Sequence, residues 1–86
     1  MSLTLKEITT TLEDELLPEY LEVNDESSLH QEHLDVPENV VTHIFINIKS
    51  DQLNRRSKVQ AHRIILNVLK KSMDKGLHAI RINLMK

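Results

Sequence analysis

Five histidines, His30, His33, His43, His62 and His78, are the side chains best suited to metal binding or proton transfer near neutral pH. The chain has no cysteine and only one tyrosine to compete with them. Their spacing decides which chemistry is open. His30 and His33 stand three apart beside Glu32, a set that suits a loose divalent-metal site. It lacks the His-Glu-x-x-His spacing of a helix-borne zinc centre, so solvated loop histidines are the competing reading. His43 and His78 open strand-like stretches, where an imidazole is expected to hydrogen-bond nearby backbone. His62 follows Val59 by three and precedes Leu66 by four, on the border of an apolar helical stripe. It reads either as a partly buried histidine or as a ligand. A chain without cysteine has no disulfide framework, no thiolate nucleophile and no thiolate-only metal site. Ser27, Ser28, Ser50 and Ser57 lack the glycine context of a nucleophile elbow, so the chain is read as a non-enzyme.

Charge supplies the second candidate site. Residues 1–39 hold eleven acids and one base, Lys6, whereas residues 40–86 hold ten bases and only Asp51 and Asp74. The net charge of −2 therefore hides −10 in one part and +8 in the other. Lys49, Arg55, Arg56, Lys58 and Arg63 cluster around the start of a long helix and could contact phosphate through side chains and helix N-terminal amides. A solvated charged face or an acidic protein partner explains the same cluster. Stacking residues for bases are nearly absent, and no glycine is available for a GXXG clamp, which disfavours sequence-specific RNA binding. No apolar run approaches the ~20 residues of a membrane span, and no basic-then-apolar leader opens the chain. The expectation is a soluble, cytoplasmic protein with no membrane contact, a monomer or weak homodimer when alone.

Eighty-six residues allow one small domain spanning residues 1–86, with an aliphatic core of Leu, Ile and Val. Thr4-x-x-Glu7 has the form of a capping box and predicts a helix over about 5–16, closed by Pro18. Tyr20 to Asn24 reads as a strand, and the polar, acidic stretch 25–39 as a long loop. In Val40 to Lys49, Ile44, Ile46 and Ile48 alternate with His43, Phe45, Asn47 and Lys49, which predicts a strand with one buried face. Ser50 to Arg56 is a polar connector with room for a helical turn. Ser57-x-x-Gln60, a second capping box, opens a helix to about Met73, with Val59, Ala61, Ile65, Leu66, Val68, Leu69 and Met73 as its apolar stripe. Gly76 ends it, and a last strand spans about 78–84. The predicted fold is an α+β sandwich, with helices on one face of a three-stranded sheet and His43, Asn47, Lys49, Arg81 and Asn83 on the solvated other face.

Several separated motifs then carry a resemblance. Pro18-Glu-Tyr-Leu-Glu-Val-Asn-Asp-Glu-Ser27 with Ser28-Leu-His30 is similar to the "P-x-x-L-E-V-x-D-E-S-x-x-H" signature of BolA-like proteins. Thr42-His43-Ile44 resembles their "[ST]-H-F" strand start. Ser50 to Arg63 follows their "S-x-x-F-x-G-x-x-x-x-x-R-H-R" segment in length, and Leu77-His78-Ala79 resembles "V-H-A-L". The resemblance covers nearly the whole chain. It implies a class II KH-like α-β-β-α-α-β fold and partnership with a monothiol glutaredoxin through a bridging 2Fe-2S cluster, in cluster trafficking or iron regulation. By position it implies His62 as the helix ligand and His30 as the loop ligand. His33 is a rival, because the loop is about four residues longer than the family pattern. Glutathione and the partner's cysteine would supply the other ligands, so no cofactor is expected on the isolated chain. The family also contains DNA-binding transcriptional regulators, which keeps the basic cluster as the alternative site. Leu53, Arg55 and Ala61 stand where the family pattern has Phe, Gly and Arg.

Overall fold

The structure, a computed structural model, describes residues 3–27 and 41–85. Helix α1 spans Leu5–Leu16 and begins where Thr4 Oγ1 accepts a hydrogen bond from the Glu7 amide at 3.2 Å. Only that half of the expected capping box forms. The Glu7 carboxylate turns instead to Lys75 Nζ, 3.5 Å away. Ile8, Leu12 and Leu16, spaced by four, form the buried stripe of α1. The helix stops at Leu17, whose φ of 44° and ψ of 55° lie in the left-handed region, and whose amide donates to the Glu13 carbonyl at 3.1 Å. Pro18 disfavours the right-handed helical conformation at the residue before it, and a left-handed leucine costs roughly 1–2 kcal/mol relative to a glycine there.

Strands β1 (Tyr20–Asp25), β2 (His43–Lys49) and β3 (Ala79–Leu84) form one sheet in the order β1-β2-β3. β1 runs antiparallel to β2, and β3 runs parallel to it. The register aligns Val23 with Ile46 and Ile82, and Leu21 with Ile48 and Leu84, so each row presents aliphatic side chains to the helices. Ile44, Ile46 and Ile48 are fully buried, as their alternation predicts, while the two outer strands are only half-buried. β2 is shorter than its sequence suggests: Val41 and Thr42 precede the ladder, and the Val41 amide donates to the Leu3 carbonyl at 3.1 Å.

The parallel β2–β3 pair needs a crossover, and three helices supply it: α2 (Asp51–Asn54), α3 (Lys58–Val68) and α4 (Lys70–Asp74). Ser57 and Gln60 complete the second capping box at 3.2 and 3.3 Å. The single helix expected to Met73 bends at Leu69. Its hydrogen bonds nevertheless run through the bend, from Leu69 N to Ile65 O at 3.0 Å and from Met73 N to Leu69 O at 2.9 Å. Gly76 follows with φ 131°, a value only glycine adopts without strain. Facing the sheet are Ala61, Ile65 and Leu69, with Ile64 and Val68 at the margin; Val59, Leu66 and Met73 of the predicted stripe stand outside the core. Each buried aliphatic side chain contributes about 1.5–3 kcal/mol, far more than an exposed pair such as Lys75–Glu7 at ~0–1 kcal/mol.

Ser50 joins the helix layer to the end of β2. Its buried hydroxyl donates to the Leu16 carbonyl at 2.7 Å and accepts from the Gln52 amide at 3.3 Å, so it closes α1 and caps α2 together. Ser50→Ala is expected to destabilise the chain by about 1–3 kcal/mol, because it orphans a buried carbonyl and removes a cap. Urea unfolding would record a lower midpoint at unchanged slope.

Candidate functional site

At the end of the sheet where β1 stops and β2 begins, three separate stretches converge on Thr42. Asp25 Oδ1 accepts from the Ser27 amide at 2.9 Å and turns the chain out of β1. Ser27 Oγ then accepts from the Thr42 amide at 2.9 Å and the His43 amide at 3.3 Å. The buried Thr42 carbonyl accepts from the amides of His78 and Ala79, at 2.8 and 3.1 Å. Ser27 and Thr42 are therefore tied to each other and to the start of β3 at this point. Here the His43 and His78 rings meet edge to face, with centroids 6.4 Å apart and planes at 71°. Thr42 Oγ1 lies 2.8 Å from His43 Nδ1, so a neighbouring side-chain hydroxyl contacts the His43 ring. His78 is exposed and His43 half-buried.

The open sheet face adjoins this corner. Arg81 donates to both carboxylate oxygens of Glu26, at 3.0 and 2.6 Å, and its guanidinium carbon lies 4.5 Å from the Phe45 ring centroid. The hydrogen bond and the charge of Glu26 raise the Arg81 pKa above its ordinary value. One row further on, Glu22 Oε1 accepts from Asn47 Nδ2 at 2.9 Å, and Asn47 Oδ1 accepts from Asn83 Nδ2 at 2.8 Å. The polar face predicted from alternation is thus a hydrogen-bonded network.

His62 lies elsewhere. It is exposed rather than partly buried, in a shallow groove on α3 with Lys58, Val59, Arg63 and Leu66. The reason is that the core face of α3 runs through Ala61 and Ile65. α3 starts beyond Lys49, at the opposite end of β2 from His43, and the crossover returns along the sheet to His78. At about 1.5 Å per residue, the helical path from His62 to Asp74 alone covers roughly 18 Å. His30 and His33, the expected loop ligands, lie outside the described residues.

The five predicted basic residues are divided between two faces. Arg55 and Arg56 line a cleft between α2 and α3 with Asp51, Gln52, Gln60 and Ile64, and Arg56 Nε donates to the Gln52 carbonyl at 3.2 Å. Lys58 and Arg63 border the neighbouring groove on α3. Lys49 belongs to the odd-numbered set of β2 that faces away from the helices, and its ammonium pairs with Glu19 at 3.4 Å. Strand alternation separates it from the other four.

The family model described as "BolA-like protein" matches residues 12–86. The chain belongs to the BolA-like family. This BolA-like chain is 32% identical over 78 residues to UV-induced protein uvi31 of Schizosaccharomyces pombe, covering 87% of this chain and 76% of that protein. It is 38% identical over 79 residues to SufE-like protein 1, chloroplastic/mitochondrial, of Arabidopsis thaliana, covering 87% of this chain but only 21% of that longer protein. Among solved structures, BolA1 from Arabidopsis thaliana superposes with a TM-score of 0.83 at 27% identity, covering 98% of this chain and 92% of that one. The BolA domain of SufE1 from Arabidopsis thaliana gives 0.81 at 36% identity, covering 96% and 93%. These neighbours share the α+β architecture described above.

Sequence reasoning gave no site role to Ser27, Thr42 or His78. The available signal was that all three fall within the BolA-like motifs quoted above, although those motifs are far apart in the chain. Ser27→Ala should leave the Thr42 and His43 amides without their acceptor, at a cost of about 1–3 kcal/mol. Amide exchange should accelerate at Thr42 and His43 while that of Ile46 follows global stability alone; uniform acceleration along β2 would contradict the local role.

Proposed function

We propose that this BolA-like chain is a binding module that partners a monothiol glutaredoxin and lends histidine to a bridging 2Fe-2S cluster, in iron–sulfur cluster trafficking or iron regulation. The BolA domain within a SufE-like protein, 36% identical to this chain, supports a role in iron–sulfur metabolism. The observation that carries the ligand reading is the exposed His78 imidazole beside His43, at the corner where the segment holding His30 and His33 leaves and rejoins the sheet. This geometry favours His78, with a histidine of that segment, over His62 as the scaffold ligand.

The donor chemistry fits a shared cluster. The chain has no thiolate of its own. One or two imidazoles fill at most half of the four ligand positions of a 2Fe-2S centre, so the partner's cysteine and glutathione would supply the rest. Imidazole ligation raises the cluster potential relative to an all-thiolate set. The Ser27 hydroxyl holds the Thr42 and His43 amides, and the Thr42 carbonyl holds the His78 amide, so the backbone that carries His78 is fixed at this corner.

Mixing the chain with a cluster-loaded monothiol glutaredoxin and recording visible absorption and circular dichroism tests this reading. A heterodimer spectrum is expected that His78→Ala abolishes or shifts and His62→Ala leaves unchanged. The reverse pattern would return the ligand to α3, and no heterodimer spectrum at all would end the proposal.

A second reading, DNA binding of the regulator type, is favoured by Arg55, Arg56, Lys58 and Arg63 gathered around the α2–α3 turn. It requires duplex DNA affinity that falls steeply with salt and weakens for Arg55→Ala and Arg56→Ala, measured by fluorescence anisotropy. Absence of binding at low salt removes it.

A further inference from the structure

Two exposed apolar patches of opposite charge lie at the Lys49 end of the molecule, away from the histidine corner. The first surrounds Leu17, which is 73% exposed, with Pro18, Leu21 and the acids Glu13 and Glu19 beside it, Glu19 also pairing with Lys49. Leu17 holds a left-handed backbone where glycine or asparagine is the usual residue, and its side chain is spent largely on solvent. The second lies on α3, where Val59 is 61% exposed and Leu66 39%, flanked by Lys58 and Arg63.

We propose that each patch docks the other on a second copy of this chain. Charge complementarity selects this occupant: the chain divides into −10 and +8 parts, and one acidic and one basic apolar patch come from those two parts. Position selects the symmetry. The Ser50 hydroxyl bonds the carbonyl of Leu16, next to Leu17, and Ser50 is followed within a few residues by the start of α3, so both patches belong to one end. In a two-fold dimer the acidic patch of each copy meets the basic patch of the other, so one contact is made twice and the assembly closes. The association leaves the His43–His78 corner at the far end uncovered, and it stands independently of the cluster reading.

Sedimentation velocity on the full chain across a dilution series, at low and high salt, tests the proposal. A monomer–dimer equilibrium is expected, weaker at high salt because the paired charges are screened. Leu17→Asn, which keeps a residue tolerant of the left-handed backbone, and Val59→Lys, on an exposed helix position, should each weaken dimerisation about tenfold or more. Circular dichroism verifies that both variants fold. A monomer at every concentration, a dimer indifferent to either variant, or open-ended assembly overturns the proposal. His78→Ala should leave the dimer unchanged and Leu17→Asn should leave the glutaredoxin heterodimer spectrum unchanged, so failure of one reading is distinguishable from failure of the other.

Discussion

The parallel pairing of β2 with β3 governs the arrangement of everything else. A parallel neighbour cannot be reached by a tight turn, so the chain must leave the Lys49 end of β2 and travel back to the start of β3 at the His43 end. The helices α2, α3 and α4 are that return path. They cover the face carrying Ile44, Ile46 and Ile48, and α1 fills the remaining part of the layer with Ile8, Leu12 and Leu16. Because α1 and the crossover helices pack on that one face, the opposite sheet face stays open, and its polar side chains satisfy one another across strands.

The same pairing gives the molecule two chemically different ends. At one, the Ser27 hydroxyl and the backbone groups of Thr42, His43, His78 and Ala79 share hydrogen bonds, and two imidazoles come together. At the other, the starts of α2 and α3 gather arginine and lysine beside exposed aliphatic side chains. A histidine near the start of α3 and one before β3 therefore stand at different ends of the crossover, although both belong to family motifs in sequence. Ligand chemistry at the first end and charge-driven docking at the second need not compete for the same surface.

Much of the fold is legible in local patterns. The four-residue spacing of Ile8, Leu12 and Leu16, the two-residue alternation of β2 and the Ser57–Gln60 capping box each encode their element through contacts within a few residues. Where the pattern misleads, a distant group has intervened. Glu7 leaves its cap for Lys75, and the apolar stripe of α3 divides between core and surface because α3 crosses the sheet on the Ala61–Ile65–Leu69 face rather than along its full hydrophobic arc. The candidate site was less legible. His43 and His78 are separated by the entire crossover, and no periodicity reports that a parallel register sets His43 against Ala79.

The amino-acid sequence alone determined the residue inventory and the elements. Five imidazoles without a thiolate and the −10 and +8 division are read directly from the sequence, and three strands and the starts of α1 and α3 follow from spacing and capping, which act over at most one or two turns. Tertiary structure alone decided which imidazoles are neighbours, which bases share a face and which aliphatic side chains are left in water. Those outcomes depend on strand register and on helix rotation over the sheet, and both are settled by burial of the whole core.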